Sequence, residues 1–575
     1  MKLLPHELAD SVTQAIQNAQ TAGDLPAFAI PAIEVRPPKK ADQGDYACAV
    51  AMQLAKPTGR NPLDVATVIA NHLPKKDLIG GVEVAKPGFI NFRLSESWLK
   101  ARTETIIAEG AALFQLDIGT GKRAQVEFVS ANPTGPLHIG RSRGAMVGDT
   151  IARILEAAGY DVEREYYFNN AGVQMTNLGN SMRIRYLEAL GLPVEIPASD
   201  DKKFYQGEYL KDFARDLIAE HGKSLVDADW KPFKEYAEQK MFAIIKATLK
   251  RVNIQHDVYF NENSLYEDGS VQKTLERLEK AGAVYRAEKP ENAGDPNKPR
   301  ANKDHEAKGI ATWFRSAAWG DEEDRVLVKS DGNPTYTLPD IAYHLNKIER
   351  GFDLLVNILG ADHGAQYKVV QYGLKALEYD PSIIHVIIIQ LVKTVRDGKK
   401  VKMSTRAGDY DTLDDLIDLT SADVVRYVLL ARSPDSHLNF DLDLAVKQSN
   451  ENPVYYIQNA YVRCAGIFRE AAAQGLTDEG ADLSLLGDAE LRFIRKALEL
   501  GEVIEVSAIG LEPHKIAFYA YELASVFHPI YDEVRVLHGD VPSDVAKARL
   551  RFYRAAQVVF KRVLDLMGMS APERM

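Results

Sequence analysis

The sequence predicts an α/β protein with three parts: a small α+β N-terminal domain, a central parallel sheet with helical inserts, and an all-α C-terminal bundle. Three observations predict this fold class. A strand–loop–helix–strand pattern begins at Ala124, further apolar strand-like runs follow, and strand signals end near residue 445. The length of 575 residues suits three or four domains at roughly 100–200 residues each.

The first domain is predicted to span residues 1–118. Helices are expected near 6–19 and around 62–73, and the alternation of apolar and polar side chains over 81–94 predicts a pair of strands. The glycine- and threonine-containing stretch 114–123 is interpreted as the linker to the next domain.

Residues 119–416 are predicted to form the central domain, with a Rossmann-like parallel sheet. After the first strand, a helix ends at Gly159 and a second strand follows at 162–168, which makes one βαβ unit. A largely helical insert is expected over about 175–285. Two later strands are predicted, at 354–359 and 383–390, and the second is apolar on both faces, as expected of a strand covered on each side.

Residues 417–450 are interpreted as a connecting segment, and residues 451–575 as the helical bundle. Pro453 and Pro513 are expected to mark helix starts. The helical periodicity predicts four helices, at 453–473, 487–509, 513–537 and 543–567.

Composition limits the class of protein. Two cysteines, Cys48 and Cys464, are too few for a disulfide framework or a cysteine-rich zinc site, so a reducing cytoplasm is expected. We see no secretory signal and no membrane span. The net charge of −11 opposes bulk attraction to nucleic acid, but six cations lie in the run 391–408 against Asp397, which predicts a phosphate-handling loop there.

The most informative stretch runs from Val126 to Arg141. It predicts a buried strand, a Pro/Gly loop and a helix that opens at His138, an arrangement that seats nucleotide phosphates at a helix N-terminus. Gly140 would let an adenine ring lie against the first turn. Together with the downstream run Lys402 to Arg406, this stretch resembles the two signature motifs of class I aminoacyl-tRNA synthetases.

Other segments are similar to the arginyl-tRNA synthetase family over nearly the whole chain. They are Gly44 to Tyr46, Gly88 to Phe92, Glu165 to Gln174, Thr335 to His344, Ser421 to Phe440, Asn452 to Gln458 and Ser570 to Met575. The resemblance implies ATP-dependent ligation of L-arginine to tRNA-Arg through an arginyl-adenylate, with release of AMP and pyrophosphate. It also implies ATP with Mg²⁺ as the substrate complex, no dedicated metal site, a cytoplasmic monomer, an anticodon-binding bundle and a tRNA-contacting N-terminal domain.

The resemblance carries over to particular positions. The motifs imply His138 and Lys402 for catalysis, and Arg141 and Arg406 are further candidate catalytic cations. The residues implied for ATP binding are Pro136, His138, Gly140, Gly360, Asp362, His363, Lys402, Met403 and Ser404. The residues implied for arginine binding are Glu127, Ser130, Asn132, Tyr336 and Asp340. The residues predicted to bind tRNA are Tyr455, Tyr461 and Arg463, whose rings and charge suit stacking on unpaired bases, together with Met575.

The arginine set has a physical basis, because a guanidinium is a planar fork of donors that carboxylates meet in bidentate geometry. The alternative for Tyr336 and Asp340, four residues apart, is a helix cap and packing pair. For Asp362 and His363 the alternative is a metal site, although two ligands make a poor cage. For the aromatic residues of the bundle the alternative is core packing.

Two positions depart from the family motifs. Arg141 stands where a second histidine is expected, and Thr405 where a second lysine is expected. We hypothesise that Arg141 partly replaces the missing lysine in stabilising the triphosphate; the alternative is that Lys400, Lys402 or Arg406 supplies this charge. Rival functions are a synthetase for another amino acid and a lapsed paralogue that binds RNA without catalysis.

Overall fold

The computed structural model describes residues 3–198, 201, 203–293, 309–361, 364–400, 412–537 and 541–575. Its strands are β1 (Val35–Arg36), β2 (Tyr46–Cys48), β3 (Ile79–Ala85), β4 (Phe89–Leu94), β5 (Arg123–Glu127), β6 (Asp161–Phe168), β7 (Val258–Asn261), β8 (Val284–Ala287), β9 (Ala311–Phe314), β10 (Arg325–Val328), β11 (Leu354–Gly360), β12 (Ile384–Ile389), β13 (Val392–Arg396), β14 (Lys399–Lys400) and β15 (Leu438–Asp441).

Helices make up most of the remaining chain. They are α1 (Leu4–Thr21), α2 (Val50–Thr58), α3 (Pro62–Asn71), α4 (Glu96–Glu109), α5 (Ile139–Ala157), α6 (Gly172–Ala189), α7 (Glu208–His221), α8 (Trp230–Arg251), α9 (Ser264–Glu267), α10 (Ser270–Lys280), α11 (Thr337–Glu349), α12 (Gly364–Ala376), α13 (Leu413–Leu419), α14 (Ala422–Leu430), α15 (Leu442–Ala445), α16 (Pro453–Ala473), α17 (Asp488–Leu498), α18 (Leu500–Gly510), α19 (His514–Glu533) and α20 (Ser543–Leu566).

The predicted fold class is confirmed. Five parallel strands form the central sheet in the order β12-β11-β5-β6-β7. Helix α5 packs against one face, and α11 and α12 belong to the core on the other face. Successive residues of β11 show this division, since Leu355 joins one hydrophobic core and Val356 the other.

The strand order reverses next to β5. The chain runs outward from β5 through β6 to β7, and then returns to place β11 and β12 on the other side of β5. Such a reversal opens a crevice at the carboxyl ends of the strands, where parallel sheets bind ligands. The loops after β5 and β11 therefore border the expected ligand site.

The flanking parts agree with the sequence patterns. In the N-terminal part, β1, β2, β4 and β3 form an antiparallel sheet, and the strand pair predicted over 81–94 is β3 with β4. In the bundle, α16 begins at Pro453, where the side chain of Asn452 accepts a hydrogen bond from the Val454 N–H. Within the described ranges, no helix has both the length and the apolar character to cross a membrane.

The strand predicted over 383–390 is β12, at one edge of the described sheet, and its side chains pack into both hydrophobic cores, as a strand covered on each face should. Two other expectations about secondary structure were wrong. The insert predicted as largely helical also contains β7, a strand of the sheet itself. The helix predicted over 487–509 is divided near Glu499 into α17 and α18.

The cationic run 391–408 begins as a β-hairpin rather than as a loop. Strands β13 and β14 pair with Arg396 opposite Lys399, and the two residues between them, Asp397 and Gly398, have positive φ angles of 50° and 69°. An Asp-Gly pair in this conformation is typical of a two-residue hairpin turn that matches the strand twist. Strand β13 also pairs in parallel with β15.

Arg426 of α14 joins three parts of the molecule. It is fully buried, and its guanidinium donates hydrogen bonds to the Asp149 carboxylate of α5, to the carbonyl of Val252 after α8, and to the carbonyl of Met567 after α20. Burial of a charge is costly unless it is paired. The ion pair with Asp149 therefore holds the bundle and the insert against the central domain.

We expect Arg426→Met to lower the free energy of unfolding by about 3 kcal/mol, because it leaves a buried carboxylate and two carbonyls without this donor. Urea unfolding of the variant and the parent measures the change. The exposed Arg432 provides a matched control, and Arg432→Met should leave the urea midpoint unchanged. Equal midpoints for the two variants would contradict the role given to Arg426.

Candidate active site

The loop after β5 has an unusual backbone. Val129 and Ser130 have φ angles of 71° and 43°, in the left-handed region that a β-branched residue such as valine rarely adopts. Such a conformation costs of order 1–3 kcal/mol and persists only where the surroundings hold it. This strained loop lies at the reversal of strand order, which marks it as a functional segment.

One side chain and one main-chain N–H of β6 hold this loop. The Tyr166 hydroxyl donates to the carbonyl of Ala131 at 2.7 Å and accepts from its N–H at 3.2 Å. The Ser130 hydroxyl donates to Glu127 Oε1 at 3.0 Å and accepts from the Tyr167 N–H at 3.2 Å. The loop is therefore fixed to the neighbouring strand at Ser130 and Ala131.

Three carboxylates meet beside this loop: Glu127 at the end of β5, Glu262 after β7, and Asp340 in the first turn of α11. Burial, followed by the charges of Glu262 and Glu127, raises the pKa of Asp340 to about 8; Lys347 opposes this shift. Burial also raises the pKa of Glu262, although a hydrogen bond from Tyr167 opposes that shift. A bound cation would therefore be stabilised by this cluster of carboxylates.

Glu127 already has a partner inside the protein. Lys347 Nζ lies 2.6 Å from Glu127 Oε2 and 2.8 Å from Asn357 Oδ1, and the lysine is fully buried. With Ser130 bound to the other oxygen, both carboxylate oxygens of Glu127 accept hydrogen bonds from the chain. The geometry thus favours Asp340 and Glu262, more than Glu127, for direct contact with a ligand.

Tyr336 and Asn132 lie at the rim of this cluster. Tyr336 immediately precedes α11, and its side chain is 73% exposed, so the packing alternative does not describe it. Asn132 Oδ1 accepts from the Asn169 N–H at 3.1 Å, and its amide nitrogen donates to Gln174 at 3.0 Å. The segment Glu165 to Gln174 thus orients Asn132.

A cleft of about 470 Å³ adjoins the acidic cluster at the carboxyl ends of the same strands. It is lined by Val129, Gly140, Arg141, Gly144, Ile358, Leu359, Gly360, Ala361, Ile389, Gln390 and Leu391. Its walls are therefore the first turns of α5, the end of β11 and the end of β12. A Cβ at Gly140 would meet only the His138 ring, so a planar ring can lie against this glycine, whereas Gly144 already lies close to Ile358 and Ile389.

His138 caps α5 beside this cleft. Its Nδ1 accepts a hydrogen bond of 3.0 Å from the Gly140 N–H, so the neutral ring carries its proton on Nε2. That proton belongs to an exposed side chain at the positive end of a helix. His138 is thus arranged to donate to an anion. Pro136 is half-buried in the loop before it.

Glu262 is the site residue that the sequence reasoning missed. It directly follows β7, the strand that was hidden in the predicted helical insert. The short apolar run Val258–Asn261 ending at a glutamate was the available signal. Several residues that the sequence predicts for nucleotide binding or catalysis lie outside the described residues. They are Asp362, His363, Lys402, Met403, Ser404 and Arg406, and Thr405 lies there too.

The residues expected to bind tRNA occupy varied environments. Tyr455 and Tyr461 are half-buried, and Met575 is 55% exposed. Arg463 pairs with an aspartate of α19 at 3.3 Å and lies over a tyrosine ring. Tyr519 is buried with its hydroxyl bonded to main-chain carbonyls, so core packing, the alternative for these aromatics, describes it correctly.

Comparison with known families identifies all three parts of the chain. Residues 6–94 match the family described as arginyl tRNA synthetase N terminal domain, and residues 103–292 match the catalytic domain of tRNA synthetases class I (R). Residues 457–575 match the DALR anticodon binding domain.

Individual relatives agree with these families. An arginine--tRNA ligase from Carboxydothermus hydrogenoformans is 42% identical over 99% of this chain and 98% of its own length. Another from Heliobacterium modesticaldum is 39% identical and covers all of both chains. The solved structure of Thermus thermophilus arginyl-tRNA synthetase aligns over both full chains with a TM-score of 0.72 at 20% identity, which supports the fold.

We expect Lys347→Met to lower the free energy of unfolding by about 3–5 kcal/mol, because it leaves Glu127 buried and unpaired. Adding Glu127→Gln removes the orphaned charge, so the double variant should be more stable than the Lys347→Met single variant. Thermal and urea unfolding of the parent, both single variants and the double variant measure this coupling. A double variant no more stable than Lys347→Met alone would contradict the ion pair.

Proposed function

The chain belongs to the arginyl-tRNA synthetase family, and on that premise we propose that its buried carboxylates select arginine while the adjoining cleft holds ATP. The protein is a class I aminoacyl-tRNA synthetase that attaches L-arginine to tRNA-Arg with consumption of ATP. The reaction proceeds through an arginyl-adenylate. Two neighbouring parts of the central domain, the acidic cluster and the cleft, divide the binding of the two small substrates between them.

Arginine selection rests on the raised pKa of Asp340. A carboxyl held near other carboxylates gains most from a ligand that brings a permanent positive charge, and a guanidinium can bridge two carboxylates with its fork of donors. Asp340 and Glu262 take this role. Ser130, Asn132 and Tyr336 contact the rest of the amino acid. Glu127 does not contact the substrate; its carboxylate adds negative charge beside the site and accepts the hydrogen bond of Ser130 in the loop.

ATP occupies the cleft between α5 and the ends of β11 and β12. Its adenine lies on Gly140, its ribose lies near Gly360, and the Nε2–H of His138 donates to the phosphates. The remaining ATP contacts are assigned by motif alone, to Pro136, Asp362, His363, Lys402, Met403 and Ser404, with Arg406 as a further catalytic cation. Mg²⁺ arrives with ATP as part of the substrate.

This arrangement requires no nucleophilic side chain. The arginine carboxylate attacks the α-phosphorus, pyrophosphate leaves, and the terminal adenosine of the tRNA then takes the arginyl group. Holding the reactants in line and stabilising the developing phosphate charge are sufficient sources of acceleration. Arg141 lines the cleft from which the pyrophosphate departs, and His138 caps the helix that forms this wall.

The remaining assignments concern the whole chain. Residues 1–118 contact tRNA, residues 119–416 form the catalytic domain, residues 417–450 connect, and residues 451–575 bind the anticodon. Tyr455, Tyr461, Arg463 and Met575 are the proposed contacts in the bundle. The enzyme acts as a monomer in the cytoplasm.

Amino-acid-dependent ATP–pyrophosphate exchange tests the substrate assignment. The enzyme is incubated with arginine, lysine or cysteine, each with and without tRNA-Arg. We expect exchange with arginine only. Exchange with lysine at a comparable rate would refute selection by paired carboxylates, and absence of exchange in every mixture would support the lapsed paralogue.

Arginine binding should depend on the protonation of Asp340. Below its pKa of about 8 the carboxyl must lose a proton to bind the guanidinium, so affinity rises with pH and levels off above that value. We expect the dissociation constant of arginine to fall by up to about tenfold per unit between pH 6 and 8. Titration calorimetry over this range measures it.

Two variants identify the titrating group. Asp340→Asn should bind arginine weakly and without this pH dependence. Glu262→Gln removes a neighbouring charge that raises the pKa of Asp340, so the break in the profile should move to lower pH. A flat profile in the parent, or an unmoved break in Glu262→Gln, would contradict the proposed cluster.

Arg141 should contribute to adenylate formation because its permanent charge lies at the ATP cleft. We expect Arg141→His, which restores the residue usual in the family, to reduce the rate of arginyl-adenylate formation by about tenfold. Rapid-quench measurement of adenylate formation at saturating substrates tests this. An unchanged or faster rate would end the hypothesis that Arg141 replaces the cation missing at Thr405.

A further inference from the structure

Arg143 is a buried arginine one turn into α5, close to the glycines that line the ATP cleft. Its side chain is completely inaccessible to solvent. The guanidinium donates hydrogen bonds to the main-chain carbonyls of Ser436 at 2.6 Å, Ser433 at 2.7 Å, Arg432 at 3.2 Å and Gln390 at 3.4 Å. The Arg143 side chain thus binds four main-chain carbonyls, one after β12 and three in the loop 432–436.

Burial of the Arg143 guanidinium carries a large desolvation cost. Taking a guanidinium out of water costs several kcal/mol, and here main-chain carbonyls make the direct hydrogen bonds. Burial lowers the pKa of Arg143, and the nearby negative charge of Asp435 opposes that shift. Arginine suits the role because its planar fork carries five donors in fixed directions. A lysine ammonium is a compact point charge with three donors and could not reach both segments at once.

The acceptors belong to one wall of the ATP cleft. Gln390 and Leu391 directly follow β12 and line the cleft. The loop 432–436 lies against them, since the Gln390 N–H donates to the carbonyl of Pro434 at 3.0 Å. The same loop leads into β15, which pairs in parallel with β13. Arg143 therefore holds the β12 end and the loop that supports it.

The opposite wall of the cleft is α5 itself. Gly140 and Gly144 line the cleft from this helix, and Arg143 is the immediate neighbour of Gly144. A methyl group built on Gly144 would lie 3.5 Å from Ile358 and 3.8 Å from Ile389, so the helix and strands are already in close approach. The Arg143 side chain thus connects the two walls of the cleft, α5 and the Gln390–Leu391 segment, without lining the cleft itself.

We propose that Arg143 is a positioning residue for ATP: it fixes the width of the cleft between α5 and the Gln390–Leu391 wall without touching substrate. The inference rests on the proposed location of ATP and deepens it. Because the arginine pocket is built on β5, β7 and α11 instead, a change at Arg143 should affect ATP and spare arginine.

Arg143→Lys is the decisive variant. We expect the KM for ATP in pyrophosphate exchange to rise and kcat to fall, each by about tenfold or more, because small displacements of reacting groups cost up to about a hundredfold in rate. The KM for arginine should stay within about twofold of the parent. A merely structural weakening would lower the fraction of active enzyme and leave both KM values unchanged.

Arg153→Lys is the matched control. Arg153 lies on the same helix and donates to the carbonyls of Asn253 and Asp565 and to the Asp149 carboxylate, none of which lines the cleft. Both KM values of this variant should match the parent. Equal increases in the KM for ATP in the two arginine variants, or a parallel increase in the KM for arginine in Arg143→Lys, would overturn the proposal.

Two more variants complete the test. Asp435→Gly removes the acceptor of the Ser433 hydroxyl and a negative charge near Arg143, so it loosens the 432–436 loop and should raise the KM for ATP even if Arg143→Lys fails to fold. An unchanged value would count against the positioning role. Gly144→Val narrows the cleft directly. If Gly144→Val leaves the KM for ATP unchanged, ATP binds elsewhere and the proposed ATP site is refuted. If Gly144→Val raises the KM for ATP and Arg143→Lys does not, only the positioning role of Arg143 is refuted.

Discussion

The structure of the active site depends on an excess of buried negative charge. The charges of Glu262 and Glu127, after burial, help to raise the pKa of Asp340, and the ammonium of Lys347 is bound to Glu127. Like charges in a medium of low dielectric are costly, so the folded protein either holds a proton among them or recruits a cation. A substrate guanidinium is the cation that the reaction itself supplies.

The topology explains why these groups meet. Glu127, Glu262 and the cleft-lining end of β11 all lie at the carboxyl ends of parallel strands of one sheet; β5 and β11 flank the reversal of strand order, and β7 lies two strands from β5. Residues 135 positions apart along the chain are thereby brought to one edge of the sheet. The strained backbone at Val129 bends the loop back towards the neighbouring strand, and hydrogen bonds from β6 maintain that bend.

Local signals predicted much of the fold, and tertiary pairings account for the errors. The start of α16 at Pro453 follows from the conformation of single residues, so it could be predicted from the sequence. The edge position of β12 and the role of β7 depend on which strands pair, which side-chain patterning does not encode. Glu262 was missed for the same reason, because its strand was hidden among helices.

Uncompensated negative charge is thus the feature by which this site selects arginine. L-Citrulline tests it most directly, because it has nearly the shape of arginine but a neutral urea group in place of the guanidinium. We predict that titration calorimetry at pH 8 will show arginine binding at least about a hundredfold more tightly than citrulline, the scale expected when a buried charge loses its partner. Similar dissociation constants for the two ligands would contradict selection by charge.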